Sequence, residues 1–204
     1  MKKLVKGVAL TGMAVLALLS VAAIFSGCFG ERLPLPPVTL TISVTEDEVL
    51  GPGAGLPAGT TLNNTLLARE LTCNLPTMDD LRDRIRAEVG EVAAGFIEIE
   101  AIKVKRASLI PSQGSFNTLT MMALNGIAVG IEGFAPIAIG SANSLQGFNG
   151  PVDIYPNNVD VLPLFEVGEP GCGAIVLHAS GVSPNEDVIF DGEVVVEVYF
   201  SIGL

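Results

Sequence analysis

Three cysteines, a lone histidine and three clusters of acidic and amide residues are where this chain could do chemistry. His178 lies in Ile175–Ser180 (IVLHAS), a strand-like run, and in an extended chain Ser180 shares its face. A histidine beside a serine can act as base and nucleophile, but no Gly-x-Ser-x-Gly elbow occurs anywhere. His178 is therefore expected to be a hydrogen-bonded structural residue. One histidine cannot build a zinc or copper site, and no Cys-x-x-Cys exists. Calcium takes carboxylate and carbonyl oxygens from loops. Its candidates are Glu46-Asp47-Glu48, then Asp153 with Asn157, Asn158 and Asp160, and Asn185-Glu186-Asp187 with Asp191. None has EF-hand spacing, and Asn and Asp also form ordinary turns. No cofactor is expected, calcium being the one metal these residues could take. No spacing singles out two acids for glycoside hydrolysis.

Cys28 has a different setting. Lys2, Lys3 and Lys6 open the chain, and the run from Gly7 to Ser26 carries no charge. A positive segment followed by an apolar one is the pattern of a secretion signal. Its end, Phe25-Ser26-Gly27-Cys28, resembles the lipobox of bacterial lipoproteins, with Phe25 standing where leucine is usual. The resemblance implies acylation of the Cys28 thiol, removal of residues 1–27, and membrane partnership through lipid. Each buried CH₂ of an acyl chain adds ~0.8 kcal/mol of membrane affinity, and two chains anchor stably. An uncleaved apolar span of ~20 residues and an ordinary signal cut near Ala22-Ala23 are the other readings of the same run. Residues 28–37 contain Pro34, Pro36 and Pro37 and read as an extended tether reaching on the order of 30 Å. Phe29 stands where an aspartate would mark inner-membrane retention. By that analogy the expected location is the cell envelope, at the outer rather than the inner membrane.

The net charge is −11, and −14 once the three lysines of residues 1–27 are removed. Such acidity repels phosphate backbones, so nucleic acid is excluded as a partner. Tryptophan is absent and Tyr155 and Tyr199 are the only tyrosines, which argues against a ring-lined sugar cleft. With Cys28 assigned to lipid, Cys73 and Cys172 form an even pair in an oxidising compartment and are expected to be a disulfide.

Gly and Pro punctuate a Val-, Ile- and Leu-rich chain, which suits many short strands. Alternation predicts strands at 38–45 and 95–109, the second with a bulge where the buried parity switches around Ala101. Lys103, Lys105 and Arg106 on it read as a solvated edge. Residues 46–60 are rich in turn formers. Asn63-Asn64 marks a turn or bulge, and residues 65–73 could be strand or helix. Thr77 and Asp80 before an apolar stripe predict a helix over 78–89, with an Asp80–Arg84 pair. Asn125-Gly126 predicts a hairpin turn. Further strands are expected at 137–140, 152–155, 159–165, 174–179 and 188–200. The fold class is then mainly β: an antiparallel β-sandwich, Ig-like or jelly-roll-like, with one short amphipathic helix, as a single domain over 38–204. The expected function is that of an envelope lipoprotein with a non-enzymatic structural or binding role toward a protein or glycan. A calcium-dependent adhesion or glycan-binding module is the alternative, and an envelope hydrolase the second.

Overall fold

The computed structural model describes residues 32–67, 71–89 and 97–203. Over them the chain runs β1 (Arg32–Pro34), β2 (Val38–Leu50), a 3-10 turn (Pro52–Ala54), β3 (Thr61–Leu66) and α1 (Met78–Val89). It continues through β4 (Ile97–Gln113), β5 (Leu119–Val129), β6 (Ile137–Asn143), β7 (Val152–Pro156), α2 (Leu162–Phe165), β8 (Cys172–Val182) and β9 (Val188–Gly203). The signal-like segment, Cys28 and residues 29–31 lie outside the described residues.

The class is mainly β, and every strand pairing is antiparallel. Where two separate facing sheets are expected, the strands form one curled sheet, a half-barrel. The path is β1-β9-β4-β7-β6-β5-β8-β3, with β2 added to β9 beside β1. The bend is made at β7, which pairs with β4 through Val152–Ile154 and with β6 through Tyr155 and Pro156. Gly140 makes that corner possible, since a Cβ there would collide with the Tyr155 carbonyl.

The concave side holds the core. Val194, Val196, Val198 and Phe200 of β9 point inward, as their period of two predicts, and meet Ile102, Val104 and Leu109 of β4. Met122, Leu124, Ile139 and Leu177 line the other half, and Phe116 packs edge-on against Phe190 with ring centroids 5.2 Å apart. The expected bulge is present, because the β4–β9 register slips between Ile99 and Ala101. So is the one at Asn63-Asn64, where the β3–β8 register slips between Leu62 and Thr65.

Helix α1 begins where its cap predicts. The Thr77 N–H and Oγ1–H both donate to Asp80 Oδ2 (2.9 and 2.7 Å), and the Asp80 N–H donates back to Thr77 Oγ1 (3.2 Å). Leu81 and Ile85 are fully buried. Asp80, whose carboxylate Thr77 engages, is also stabilised by the charge of Arg84, its expected partner, and Asp79–Arg82 and Asp83–Arg86 are further ion pairs on the helix.

Four expectations need correction. β4 is not an edge strand of the sheet: β9 pairs with it along its length and β7 at Ala107–Leu109. The β7 ladder begins just past Lys103, Lys105 and Arg106, of which Lys103 bridges to Asp160. Asn125-Gly126 does not turn: it lies inside β5, paired with both β6 and β8. Gly126 is there because a Cβ would run into Leu164 of α2. Residues 159–165 are not a strand. Asp160 Oδ1 accepts the N–H groups of Ile102 and Leu162 (both 2.9 Å), and Pro163, which cannot donate to a ladder, opens α2, so the described residues hold two α-helices rather than one. Finally, Arg32–Pro34 of the expected tether pairs with β9, and the Leu35 N–H donates to Phe200 O at 3.2 Å. Pro34 is tolerated there because the strand is an edge.

Candidate functional site

The two halves of the curl present unlike outer faces. On β9, β4 and β7 the outward residues include Glu193, Glu197, Lys103, Lys105, Arg106 and Asp153. Lys105 Nζ lies 2.9 Å from Glu197 Oε2, which also accepts the Tyr199 hydroxyl at 2.7 Å. Arg106 reaches Asp153 at 3.3 Å, and Lys103 Nζ stands 5.6 Å from the Tyr199 ring centroid. The hydrogen bonds from Tyr199 and Lys105 lower the Glu197 pKa, and the bond to Glu197 raises those of Tyr199 and Lys105. All are exposed enough that solvent screens these contacts.

Strands β3, β8, β5 and β6 contain no Asp, Glu, Lys or Arg at all. One cross-strand row runs over their outer face, each residue directly opposite the next: Leu66, His178, Ala123, Ser141, Tyr155. Ser180–Met121–Asn143 flanks it on one side and Val176–Asn125–Ala138 on the other. Tyr155 is 75% exposed and Leu66 36%. Small, neutral side chains bracketed by an exposed leucine and an exposed tyrosine make a surface that can be covered without stripping water from a charge.

His178 is central to that row. The Asn125 side-chain amide donates to its Nδ1 at 3.0 Å, which puts the ring proton of the neutral form on Nε2. Burial lowers its pKa below the ordinary imidazole value, so the ring is neutral near pH 7. Among the described residues no carboxylate orients it, and Ser180 Oγ accepts the Asn64 N–H at 2.9 Å. The geometry lacks the base–orienter pair that a nucleophilic serine needs.

No family model matches this chain, nor does any curated protein. Among solved structures, one of the chains that superpose on it does so weakly. It comes from the acidic stable capsid structure of Helicobacter pylori bacteriophage KHP30, with a TM-score of 0.30 and 10% identity, covering 85% of this chain and 98% of that one. A likeness at that level carries no argument.

The calcium candidates are scattered. Asp153 pairs with Arg106, the Asn157 Nδ2 donates to Ala138 O (3.1 Å), and Asp160 serves backbone donors as described. Asp187 Oδ1 accepts the Gly53 N–H (2.6 Å), tying the turn after β2 to the approach of β9, and Asp191 Oδ1 accepts the Asp47 N–H (2.9 Å), tying the irregular stretch of β2 to β9. Asp47, Glu46, Asp191 and Glu193 border a shallow depression of about 290 Å³. Among the described residues, no three His, Cys, Asp or Glu side chains are grouped to hold a metal. Cys73 and Cys172 are joined in a disulfide, with Cα atoms 5.8 Å apart and 99 residues of separation. Cys28, the lipidation candidate, lies outside the described residues.

The neutral face was missed in the sequence, although a signal was present. Between Arg106 and Asp153 the only charged residue is Glu132. Which side of which strands that gap would cover required the register.

Proposed function

We propose that this chain is a lipid-anchored protein of the bacterial cell envelope, at the outer rather than the inner membrane, whose domain binds a protein partner and carries out no turnover. The observation that supports the binding role is the uncharged outer face of β3, β8, β5 and β6 on a chain of net charge −11. The anchor rests on Lys2, Lys3 and Lys6, the apolar run and Phe25-Ser26-Gly27-Cys28. A protein fits this face better than a glycan, because Tyr155 is the one Phe, Tyr or Trp in its described rows and sugars stack on several such rings. We read the half-barrel as a flattened, jelly-roll-like sandwich whose layers stay joined through β7.

Metabolic labelling with a palmitate analogue tests the anchor: wild type is labelled and Cys28→Ala is not. Equal labelling removes the lipid from the proposal. A photo-crosslinking side chain at Tyr155, compared with one at Lys105, tests the face in intact cells. The expected result is one discrete adduct from Tyr155 alone, lost when Ala123→Asp places a charge in the row without changing the melting temperature. Equal adducts from both positions, or an adduct indifferent to Ala123→Asp, would remove the face as the binding surface.

A further inference from the structure

Among the described residues, a single side chain hydrogen-bonds across the seam between β2 and β8. β3 pairs with β8 from His178 to Val182, and the Leu67 N–H donates to Leu177 O at 2.9 Å. Toward Cys172, among the described residues, no strand continues on that side of β8. Asn74 stands there instead. Its Oδ1 accepts the Ile175 N–H (2.8 Å) and its Nδ2 donates to Ile175 O (2.7 Å), so the amide serves β8 as a neighbouring peptide would. The second Nδ2 hydrogen reaches Val44 O of β2 at 2.9 Å, and Val44 is skipped at the first of two slips in the β2–β9 register. One residue thus bridges β2 and β8 with three hydrogen bonds.

Residues 71–76 are neither helix nor strand. They are held to the sheet by this amide, by partly buried Leu75, and by the Cys73–Cys172 disulfide one residue before Asn74. That disulfide is within reach of solvent. Cys73 is exposed, and Cys172 borders a depression of about 420 Å³ between the start of α1 and the chain after α2. Exposed disulfides are the ones open to thiol exchange.

We propose that Cys73–Cys172 and Asn74 form a redox-sensitive latch: reduction by an external dithiol releases Asn74 and bares the Gly173–Val176 edge of β8, leaving the rest of the sheet paired. One thiolate of the dithiol attacks the exposed Cys73 sulfur, and Cys172 departs as a thiolate and takes a proton. The second thiol then displaces Cys73, which takes another proton. Two electrons and two protons pass to the protein, and the dithiol becomes a cyclic disulfide. The remaining sheet holds because β8 keeps its full ladder with β5, and β4 its ladder with β9.

Amide hydrogen exchange on the full chain, with and without dithiothreitol, tests the latch because the Ile175 N–H reports directly on Asn74. Reduction is expected to speed exchange at Ile175 at least tenfold more than at Val196 in β9, whose amide reports opening of the whole fold. Asn74→Ala with the disulfide intact is expected to give the same local acceleration, so the proposal does not depend on a cysteine variant that folds. Two results would overturn it. One is an unchanged Ile175 amide after both thiols are titrated as free. The other is acceleration of Val196 in step with Ile175, which marks a staple of the whole fold rather than a latch.

Discussion

Gly173 sits where β8 passes beneath the backbone of α2, and a Cβ there would collide with the Leu164 carbonyl. Backbone cannot step aside as a side chain can. Gly173→Ala should therefore lower unfolding stability by about 1–3 kcal/mol in urea titrations. Gly126→Ala meets the Leu164 side chain instead and should cost less. Combining it with Leu164→Ala should lose less than the two single losses added, a coupling that Gly173→Ala with Leu164→Ala should not show. His178 gives a pH-dependent counterpart. Its folded pKa is lowered by burial, so the unfolded chain binds the proton more readily. The stability from the neutral ring is complete above the unfolded value of about 6.5 and is lost as pH falls through the folded one. Melting temperature should drop on acidification from pH 7.5 to 5.5, and His178→Gln should flatten that drop. An identical slope in the variant would assign the effect to other groups.

The elements differ in how much of their structure is local. Helix α1 is held at its start by Thr77 and Asp80, three residues apart, and Thr77→Ala should cost about 1 kcal/mol by thermal unfolding. Those hydrogen bonds lower the Asp80 pKa, so their help is present above the ordinary carboxylate range and disappears as pH falls through the lowered value. Leu81→Ala, which empties a fully buried site, should cost about 2–5 kcal/mol in the same assay. Strand β4 is the opposite case. Its lysines and arginine suit an edge by residue type, yet β9 pairs with it throughout and β7 from Ala107 on, and Lys105 and Arg106 are met by Glu197 and Asp153 on those neighbours. Nothing within several residues of Lys103 announces either partner.

For the molecule as a whole, the longest covalent tie is Cys73–Cys172, 99 residues apart. Closing a loop of that order reduces the freedom of the unfolded chain, so removing the bond should cost on the order of 2–5 kcal/mol. Oxidised and reduced samples unfolded in parallel measure it, and equal midpoints would deny the bond a stabilising role. The distribution of charge also belongs to this scale. The acids and bases of β9, β4 and β7 gather on one side of the curl, and the other side is left neutral.

By itself, the sequence determined the mainly β class, the span and cap of α1, the bulge around Ala101 and an irregularity at Asn63-Asn64, and the Cys73–Cys172 pairing. The first three are written in alternation, parity and spacing over a few residues, and the last follows from counting cysteines once Cys28 is set aside. Tertiary structure alone decided that β7 bends one sheet into a half-barrel, that Asn125-Gly126 continues β5, and that Asn74 bridges β2 and β8. It also gathered the neutral row from Leu66 to Tyr155 on one face. Each of those depends on partners tens of residues away, as Gly126 depends on Leu164 and Asn74 on Val44 and Ile175. Hydrogen bonds and contacts of that range follow register and closure, which no local pattern encodes.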